Sequence, residues 1–504
     1  MARALSTVLS RTPAGLTAPQ VRVEIHLGPG LPAFALVGLP QAVVRESKER
    51  VRSALLTSGF DFPAGRITVN LSPADLPKDG GRFDLPIAVG ILAASGQLNS
   101  HALARREFYG ELALSGELRE TPKLLPALMA GALTERELIL PAANALEGSW
   151  VAGPRIRLAR DLREVCDALN GSAALPAAAF LDAPPSPATP DLADVRGQFG
   201  AKRALTIAAA GGHGLLMIGP PGAGKTLLAE RLPGLLPPLD AREALEVAAV
   251  ESAAGRRPTR GRCRPFRSPQ HTASVAALIG GSSMRPGELS LAHLGVLFLD
   301  ELPEFARNAL EALREPLESG VVVVSRAKQT CDFPARFQLV AAMNPCPCGY
   351  AGDPGGRCRC TPGHIARYRQ RISGPLIDRI DMHVELCAVP AAHLFAPAAD
   401  TAEAGSAAVA LRVARARDLQ MQRQGKLNAR LNHAEIGSIC RLDRDSRALF
   451  ETAIARLGLS ARACHRVLKL ARTCADLIAE GQIRPAEVSE ALKLRALDLA
   501  VGPG

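Results

Sequence analysis

An octapeptide that combines glycines with a lysine and a threonine constrains this chain more than any other part of its sequence. It fits the pattern G-x-x-x-x-G-K-[ST] and reads Gly219-Pro220-Pro221-Gly222-Ala223-Gly224-Lys225-Thr226. Apolar residues 215–218 predict a buried strand before it, and residues 227–230 predict the first turn of a helix after it. A strand, a glycine-rich turn and a helix in this order form a phosphate-binding loop, here called the P-loop.

The P-loop predicts a site for ATP with Mg²⁺. Its backbone N–H groups would face the phosphates, because glycine leaves no Cβ in the way. Lys225 would neutralise the β- and γ-phosphates, and Thr226 would hold Mg²⁺ through its hydroxyl. The alternative is a glycine-proline turn that fits the pattern by chance.

A second apolar run ends in two acids. Val296–Leu299 predicts a buried parallel strand, and Asp300 and Glu301 follow it directly. In this Walker B pattern, Asp300 would reach Mg²⁺ through water, while Glu301 would orient and deprotonate the attacking water. The alternative is a strand that ends in a solvated acidic turn. Together with the P-loop, the pattern predicts ATP hydrolysis rather than nucleotide binding alone.

Length, charge and composition limit the class of protein. A chain of 504 residues, of which 47% are hydrophobic and 22% charged, is expected to form about three globular domains. The net charge of +11 favours a polyanionic partner such as nucleic acid, although a basic enzyme without such a partner would look the same. One Trp and three Tyr argue against an aromatic platform for single strands. We expect no membrane span and no secretory signal, and therefore a cytoplasmic protein.

The apolar periodicity divides the chain into three domains. Residues 1–170 alternate predicted strands and helices, which is typical of an α/β domain. Residues 171–190 are rich in Ala and Pro and predict a linker. Residues 191–390 hold the nucleotide motifs, and residues 391–504 predict a helical domain. The individual predictions are strands at 21–27, 66–71 and 137–141, and helices at 43–56, 85–94, 463–477 and 486–499.

Four cysteines form two close pairs within residues 346–360. They are Cys346, Cys348, Cys358 and Cys360, and the glycine-rich segment between the pairs lets the chain double back. Four thiolates in this spacing can hold Zn²⁺ in a tetrahedron, with His364 as a substitute ligand. Because four protein ligands close the coordination shell, the metal would be structural. The alternatives are four unpaired thiols and a redox disulfide.

Longer stretches resemble the magnesium-chelatase-like AAA+ ATPases of the YifB/ComM type. In the central domain they include FRSPQHTASVAALIGG, PGELSLAHLGVLFLDELPEF, AAMNPCPCGYAGDP and RYRQRISGPLIDRIDMHVEL. The N-terminal ITVNLSPADLPKDGGRFDLPIAVGILAASG and the C-terminal LSARACHRVLKLARTCADL are similar to the same family. The chain departs from the family pattern at Gln270, where a second His is expected beside His271, and at Ala223, where Thr or Ser is common.

The resemblance implies a fold for each domain. It implies an N-terminal α/β domain of the Lon-protease type (ribosomal S5 domain 2-like), a central AAA+ P-loop α/β domain with a parallel sheet, and a C-terminal helical lid. In Lon-type proteases a Ser–Lys dyad cleaves the substrate. Arg82 stands at the serine position and Leu125 at the lysine position, and neither side chain can do that chemistry. We therefore expect a catalytically dead protease scaffold.

The resemblance also implies roles for residues outside the two nucleotide motifs. Asn344 corresponds to sensor 1 and would position the attacking water. Arg379 corresponds to the arginine finger that reaches the γ-phosphate of a neighbouring subunit, and Arg371 is the competing candidate. Arg462 corresponds to sensor 2, which reports the nucleotide state to the lid. Each arginine could instead be an ordinary surface or phosphate-contacting charge. A finger supplied by a neighbour requires an oligomer, and the family implies a hexamer.

A basic run between the two nucleotide motifs is a candidate DNA contact. Its side chains would grip phosphates without reading sequence, or would form a solvated positive face. The run consists of Arg256, Arg257, Arg260, Arg262, Arg264 and Arg267.

Three functions follow from these features. The first is an ATP-driven DNA motor, which by resemblance to ComM-type members is a branch-migration helicase in natural transformation and homologous recombination. The second is a chelatase-type motor subunit that remodels a protein partner during tetrapyrrole synthesis. The third is an ATP-dependent protease, which the missing dyad disfavours. The first function is favoured by the net positive charge, the cysteine pairs and the Lon-like first domain. Its partner would be single-stranded or branched DNA.

Overall fold

The computed structural model describes residues 5–38, 46–76, 78, 80–151, 155–179, 189–258, 261–281, 284–326, 329–353, 355–388 and 405–495. Some predictions fall partly or wholly outside these ranges. They are the start of the helix at 43–56, residues 180–188 of the linker at 171–190, Arg260, the first and last parts of the region 391–504, and the last residues of the helix at 486–499.

The N-terminal region is built on a mixed sheet of seven strands. Alternate residues of the strand Gln20–Gly28, including Val21, Val23 and Ile25, are buried beneath the helix Asp84–Ala94, which is itself buried over its whole length. In spatial order the strands are Ala33–Val37, Arg66–Ser72, Gln20–Gly28, Leu5–Arg11, Arg106–Phe108, Glu137–Pro141 and Ile156–Ala159. The other helices are Ser47–Thr57, Leu125–Ala132, Ala145–Trp150 and Leu162–Leu169, and a small hairpin pairs Glu111–Leu112 with Leu118–Arg119. The three strands predicted here and the helix at 85–94 are confirmed.

The central region contains a five-stranded parallel sheet. Its spatial order is Phe266–Arg267, Val296–Leu299, Gln338–Met343, Leu215–Ile218 and Met382–Glu385, and every neighbouring pair is parallel. Because the strands are parallel, their carboxyl ends lie at one edge, where ligands bind in open α/β sheets. The surrounding helices are Phe199–Gly211, Lys225–Leu235, Ala241–Ala253, Val275–Ile279, Glu288–Leu291, Arg307–Glu311, Arg314–Ser319, Pro362–Arg369 and Gly374–Ile377. A hairpin pairs Val321–Arg326 with Gln329–Pro334.

The C-terminal region is helical and packs on the central region. Leu205 and Leu228 of the central region share one hydrophobic core with Val413, Leu470 and Val488 of the C-terminal helices. Those helices are Ser406–Gln424, His433–Ile439, Arg444–Leu457, Ala461–Leu477 and Pro485–Lys493. The mixed α/β class, with a parallel central sheet and C-terminal helices, is therefore confirmed.

One helix prediction was too long. The helix predicted over 486–499 ends at Lys493, and Arg495 instead forms an isolated parallel bridge with His383. The buried guanidinium of Arg495 donates a 2.8 Å hydrogen bond to the carbonyl oxygen of Ile380. This tertiary contact turns the chain toward the sheet, and the periodicity of the sequence gave no sign of it.

The N-terminal region contacts the segment that joins the two nucleotide motifs. Leu124 and Leu128 pack against Ala248, which lies on the helix Ala241–Ala253. The hydroxyl of Ser252 on the same helix donates a 2.8 Å hydrogen bond to the buried carboxylate of Glu147.

Within the described residues, no helix combines the length and the apolar character that a bilayer crossing requires.

Candidate nucleotide-binding site

The P-loop joins the strand Leu215–Ile218 to the helix Lys225–Leu235, as the sequence predicts. Gly222 and Gly224 have φ angles of 77° and 87°, in the left-handed region that favours glycine. A Cβ on Gly219 would lie 2.8 Å from the carbonyl oxygen of Leu386. The glycines thus permit the tight backbone path of the loop. The loop ends at the amino end of a helix, where anions bind readily.

The ammonium group of Lys225 lies inside the loop. Its Nζ donates hydrogen bonds to the carbonyl oxygens of Gly219 and Pro220, at 2.7 and 3.0 Å, and to Oδ1 of Asn344 at 3.0 Å. Burial lowers the pKa of Lys225, and the charges of Asp300 and Glu301 oppose that shift. The ammonium is therefore held by neutral oxygens at the loop, close to two acids.

The P-loop and the acidic pair are in direct contact. Oγ1 of Thr226 donates a 2.9 Å hydrogen bond to Oδ2 of Asp300, and the other carboxylate oxygen of Asp300 accepts from the backbone N–H of Glu301 at 2.9 Å. Two oxygen ligands of this kind suit Mg²⁺. The contact therefore fits a magnesium site shared by the two motifs.

Glu301 has an unusual backbone conformation. Its φ and ψ angles are 53° and 44°, in the left-handed region that a residue with a Cβ rarely adopts. Strain of this type is concentrated at functional sites. The Glu301 side chain is 54% exposed and lies 3.4 Å from Nδ1 of His271. The carboxylate that the sequence assigns to water activation is therefore open to water.

Asn344 reaches the P-loop because of the strand order. It follows Gln338–Met343, which lies between the strands that precede the P-loop and Asp300. Three adjacent parallel strands thus deliver Lys225, Asp300 and Asn344 to the same edge of the sheet. The sequence assigned these residues to one site, and the structure brings them together.

Gln198 is a contact of the P-loop that the sequence motifs did not identify. It adopts a left-handed φ of 55° just before the helix Phe199–Gly211. Its side-chain amide donates to the carbonyl oxygens of Ala223 and Cys387, at 3.0 and 2.7 Å. Gln198 therefore ties the loop to the segment that follows the last strand of the sheet.

The two finger candidates differ in exposure. Arg379 lies 2.5 Å from Glu318, donates to the carbonyl oxygen of Pro375 at 2.8 Å, and has a side chain that is 17% exposed. Arg371 pairs with Glu304 at 2.7 Å, and its side chain is 54% exposed. Either arginine would have to leave its acid, Glu318 or Glu304, before it could contact a neighbouring subunit, and Arg371 is the more exposed of the two.

Arg462 is exposed in the first turn of the helix Ala461–Leu477. One turn later, Arg466 lies 3.6 Å from Asp381 and 3.8 Å from Asp378. Arg466 is therefore an arginine through which this helix contacts the segment that carries Arg379. The sensor 2 role of Arg462 stays a prediction.

The four cysteines converge to one cluster. Their sulfur atoms all lie within 4.8 Å of one another, and three of the separations are 3.3, 3.7 and 3.8 Å. A tetrahedron with Zn–S bonds of about 2.3 Å separates its sulfur atoms by about 3.8 Å. The residues therefore fit a zinc site made of cysteine alone.

The surroundings favour the thiolate at Cys348 alone, whereas the pKa of Cys358 is raised and that of Cys360 is raised to about 11. Hydrogen bonds from the backbone N–H groups of Arg359 and Tyr350 lower the pKa of Cys348 to about 6. A thiolate is the form that binds metal. His364 is exposed and lies outside the group of converging ligands, so the geometry gives no reason to invoke it.

The basic run between the motifs is partly paired with acids, and its two interpretations, a DNA-contacting loop and a solvated positive face, both stay predictions. Four of its arginines pair with acids that are distant in the sequence, and Arg262 is exposed. The pairs are Arg256 and Arg267 with Glu288, Arg257 with Glu120, and Arg264 with Glu243. Because the acids come from other segments, the run itself gave no indication of these pairs.

The two residues that the resemblance assigns to the protease dyad positions are both buried. Arg82 is 4% exposed and donates a 2.6 Å hydrogen bond to the carbonyl oxygen of Pro122, and Leu125 is fully buried. Neither side chain can serve as nucleophile or base for peptide cleavage.

Family models match three parts of the chain. The model described as subunit ChlI of Mg-chelatase matches residues 23–144, and the model of magnesium chelatase, subunit ChlI, matches residues 191–394. The model of the ChlI C-terminal region matches residues 403–495.

Known proteins match over nearly the whole length. The chain is 50% identical to competence protein ComM of Haemophilus influenzae over 503 residues, with 98% of each chain covered. It is 47% identical to the YifB protein of Salmonella typhimurium over 497 residues, covering 98% of this chain and 97% of the relative. A magnesium-chelatase 67 kDa subunit of Heliobacterium mobile matches at 28% over 225 residues, which is 38% of this chain and 30% of that protein. The chain therefore belongs to the magnesium-chelatase-like family of the YifB/ComM type.

Proposed function

We propose that this chain is an ATP-hydrolysing AAA+ motor that acts on DNA in a ComM-like role. The contact between Thr226 and Asp300 is the observation that carries the proposal, because it joins a phosphate-binding loop to the acid that follows the strand Val296–Leu299. The hydrogen bond from Lys225 to Asn344 adds the third element of the site. A site with these parts is organised for phosphoryl transfer to water.

The residues of the site divide the work of hydrolysis. The P-loop N–H groups and Lys225 bind the phosphates, and Thr226 with Asp300 holds the metal. Mg²⁺ supplies neutralisation of the charge on the phosphates. Asn344 positions the attacking water, and Glu301 accepts its proton. The exposure of Glu301 supports this role, because a general base must reach the water.

Completion of the site requires a second copy of the chain. Arg379, or Arg371 in its place, would reach the γ-phosphate that a neighbouring protomer binds, and such a finger is worth about 10³ to 10⁵ in rate. The working form is therefore a homo-oligomer, and we propose a hexamer. Zn²⁺ in the cysteine cluster would be a structural component of each protomer.

Two observations support DNA as the partner. A relative that is 50% identical over the whole length is named a competence protein, and the net charge of +11 suits a polyanion. We propose that the motor moves branch points during natural transformation and homologous recombination. It would contact backbone phosphates without reading sequence.

A chelatase-type motor that remodels a protein partner is the second candidate. The descriptions of the family models and the match to a magnesium-chelatase subunit favour it. That match covers only 38% of the chain, whereas the ComM match covers 98%. The greater coverage is the reason that the DNA motor is placed first.

An ATPase assay separates the two candidates. The purified chain is expected to hydrolyse ATP, and branched DNA is expected to raise the rate, with an affinity for DNA that falls steeply as salt rises. The Glu301→Gln variant serves as the control for contaminating ATPases. A rate that responds to chelatase subunits and not to DNA would favour the second candidate, and an inactive wild-type chain would overturn both.

A further inference from the structure

The cysteine cluster begins two residues after Asn344. Cys346 is fully buried, its carbonyl oxygen accepts a 2.9 Å hydrogen bond from the N–H of Gly349, and its sulfur accepts one from the N–H of Ala351 at 3.2 Å. Residues 344–351 therefore form one turn around Cys346. At its start, Asn344 contacts Lys225.

The other side of this turn touches the P-loop. A Cβ built on Gly349 would lie 2.6 Å from Cδ and 2.9 Å from Cγ of Pro221, closer than real Cβ contacts. The φ angle of Gly349 is 85°, so its backbone also requires glycine. The turn and the loop thus meet with the backbone of Gly349 against the ring of Pro221.

We propose that the metal-loaded cysteine cluster braces the nucleotide site, so that zinc occupancy sets the affinity of the P-loop for nucleotide. The inference rests on the proposed nucleotide binding. Two contacts carry the brace: from Asn344 to Lys225, and from Gly349 to Pro221. Both start from residues within three positions of Cys346.

The metal supplies the rigidity of the brace. Zinc bonded to Cys346 and Cys348 would fix both sides of the short peptide that leads to Gly349. Because metal binding and local folding are coupled at such sites, loss of the metal releases the turn. The released turn would let Asn344 and Pro221 leave the positions that hold the Lys225 ammonium and the loop.

Thermodynamic linkage makes the proposal reciprocal. If zinc strengthens nucleotide binding by some factor, then bound nucleotide strengthens zinc binding by the same factor, and such couplings are typically about 5- to 150-fold. Zinc affinity is therefore a readout that does not depend on ATP turnover. It also distinguishes a brace from a cluster that only stabilises its own turn.

The first experiment compares zinc-loaded and chelator-stripped full-length chain. The dissociation constant of fluorescent ADP is measured for both forms, and circular dichroism checks that both are folded. Stripping is expected to weaken nucleotide binding within the range of about 5- to 150-fold, and saturating ADP is expected to strengthen zinc binding equally. Equal nucleotide affinity in two folded forms would overturn the proposal.

A pair of glycine variants tests the contact without removing the metal. Gly349→Ala inserts a methyl group against Pro221, whereas Gly352→Ala has the same backbone cost, with a φ of 81°, and nothing within 4 Å of its Cβ. Both variants are expected to retain about one zinc per chain. Only Gly349→Ala should weaken ADP binding.

The outcomes separate the brace from the proposed function. If the zinc-loaded wild-type chain fails to bind nucleotide, the proposed function and the brace both fail. If it binds, but Gly349→Ala binds as tightly while retaining zinc, only the brace fails. Should stripping unfold the chain, the two glycine variants decide the question on their own.

Discussion

Oγ1 of Thr226 and Oδ2 of Asp300 are joined by a 2.9 Å hydrogen bond, although the two residues are 74 positions apart. The parallel sheet makes the contact possible, because Asp300 directly follows one strand and the P-loop that follows another brings Thr226 to the same edge. In an active site for ATP, Thr226 and Asp300 would together hold Mg²⁺. The consequences of this arrangement can be measured.

Removal of the P-loop ammonium should weaken nucleotide binding. In Lys225→Ala, the phosphates lose a charged hydrogen-bond donor, which is worth about 1.5–3 kcal/mol, or about 10- to 150-fold in affinity. Titration with fluorescent ADP measures the effect. Lys48→Ala is the matched control, because that side chain is 45% exposed and lies in the N-terminal region. Equal binding by Lys225→Ala and wild type would contradict the assigned role of the P-loop.

Removal of the general base should separate binding from turnover. Glu301→Gln keeps the size of the side chain but cannot accept a proton, so hydrolysis is expected to fall by about 10²- to 10⁴-fold. Nucleotide affinity should stay at the wild-type level, because Lys225 and Thr226 are unchanged. Steady-state phosphate release and ADP titration measure the two quantities. Normal hydrolysis by this variant would remove Glu301 from the mechanism.

Mixed oligomers test whether the arginine comes from a neighbour. Arg379→Ala keeps its own P-loop and lacks the finger, whereas Lys225→Ala has the finger and a defective P-loop. Each alone should be inactive, and their mixture should recover part of the activity, because one kind of interface contains both intact parts. The same mixture made with Arg371→Ala decides between the two arginines. No recovery with either variant would indicate that no arginine of this pair acts across the interface.

His383 should make the fold sensitive to acid. Its side chain is fully buried, neither ring nitrogen has a hydrogen-bond partner among the described residues, and burial lowers its pKa to about 3, with further lowering by Arg495 and Arg466. The unfolded chain takes up the proton first, near pH 6.5, so this group's contribution to stability is complete above pH 6.5 and declines as the pH falls toward 3.

The size of the His383 effect can be measured by urea denaturation. Between pH 6.5 and 5, the free energy of unfolding is expected to fall by on the order of 2 kcal/mol because of this residue. The fall should be smaller by that amount in His383→Leu, which has no titrating group. The same acid sensitivity in the variant and the wild type would assign the effect to other residues.

The sequence predicted the parts of the site that depend on local patterns. Four of its residues stand at fixed positions relative to apolar runs: Lys225, Thr226, Asp300 and Glu301. A strand followed by such residues can be predicted without any knowledge of tertiary contacts. The resemblance to a family added Asn344, whose contact with Lys225 depends on strand order.

Contacts between distant segments explain what the sequence did not predict. Nothing in the sequence around Arg264 indicates an ion pair, yet Arg264 pairs with Glu243 of another segment. The apolar periodicity of the sequence predicts helices and strands but not which of their side chains meet. Gln198 reaches the P-loop from a left-handed backbone conformation, and a glutamine in the sequence gives no indication of that conformation. The contact of Gly349 with Pro221 likewise exists only after the cysteines have turned the chain back toward the sheet.

Branch migration of a synthetic Holliday junction tests the central claim most directly. The wild-type chain and Glu301→Gln are each incubated with the junction, with and without ATP, and the exchanged strands are quantified. We predict that the wild type exchanges strands only when ATP is present, and that Glu301→Gln exchanges none with or without ATP. ATP hydrolysis by the wild type without strand exchange, or equal exchange by the two chains, would contradict it.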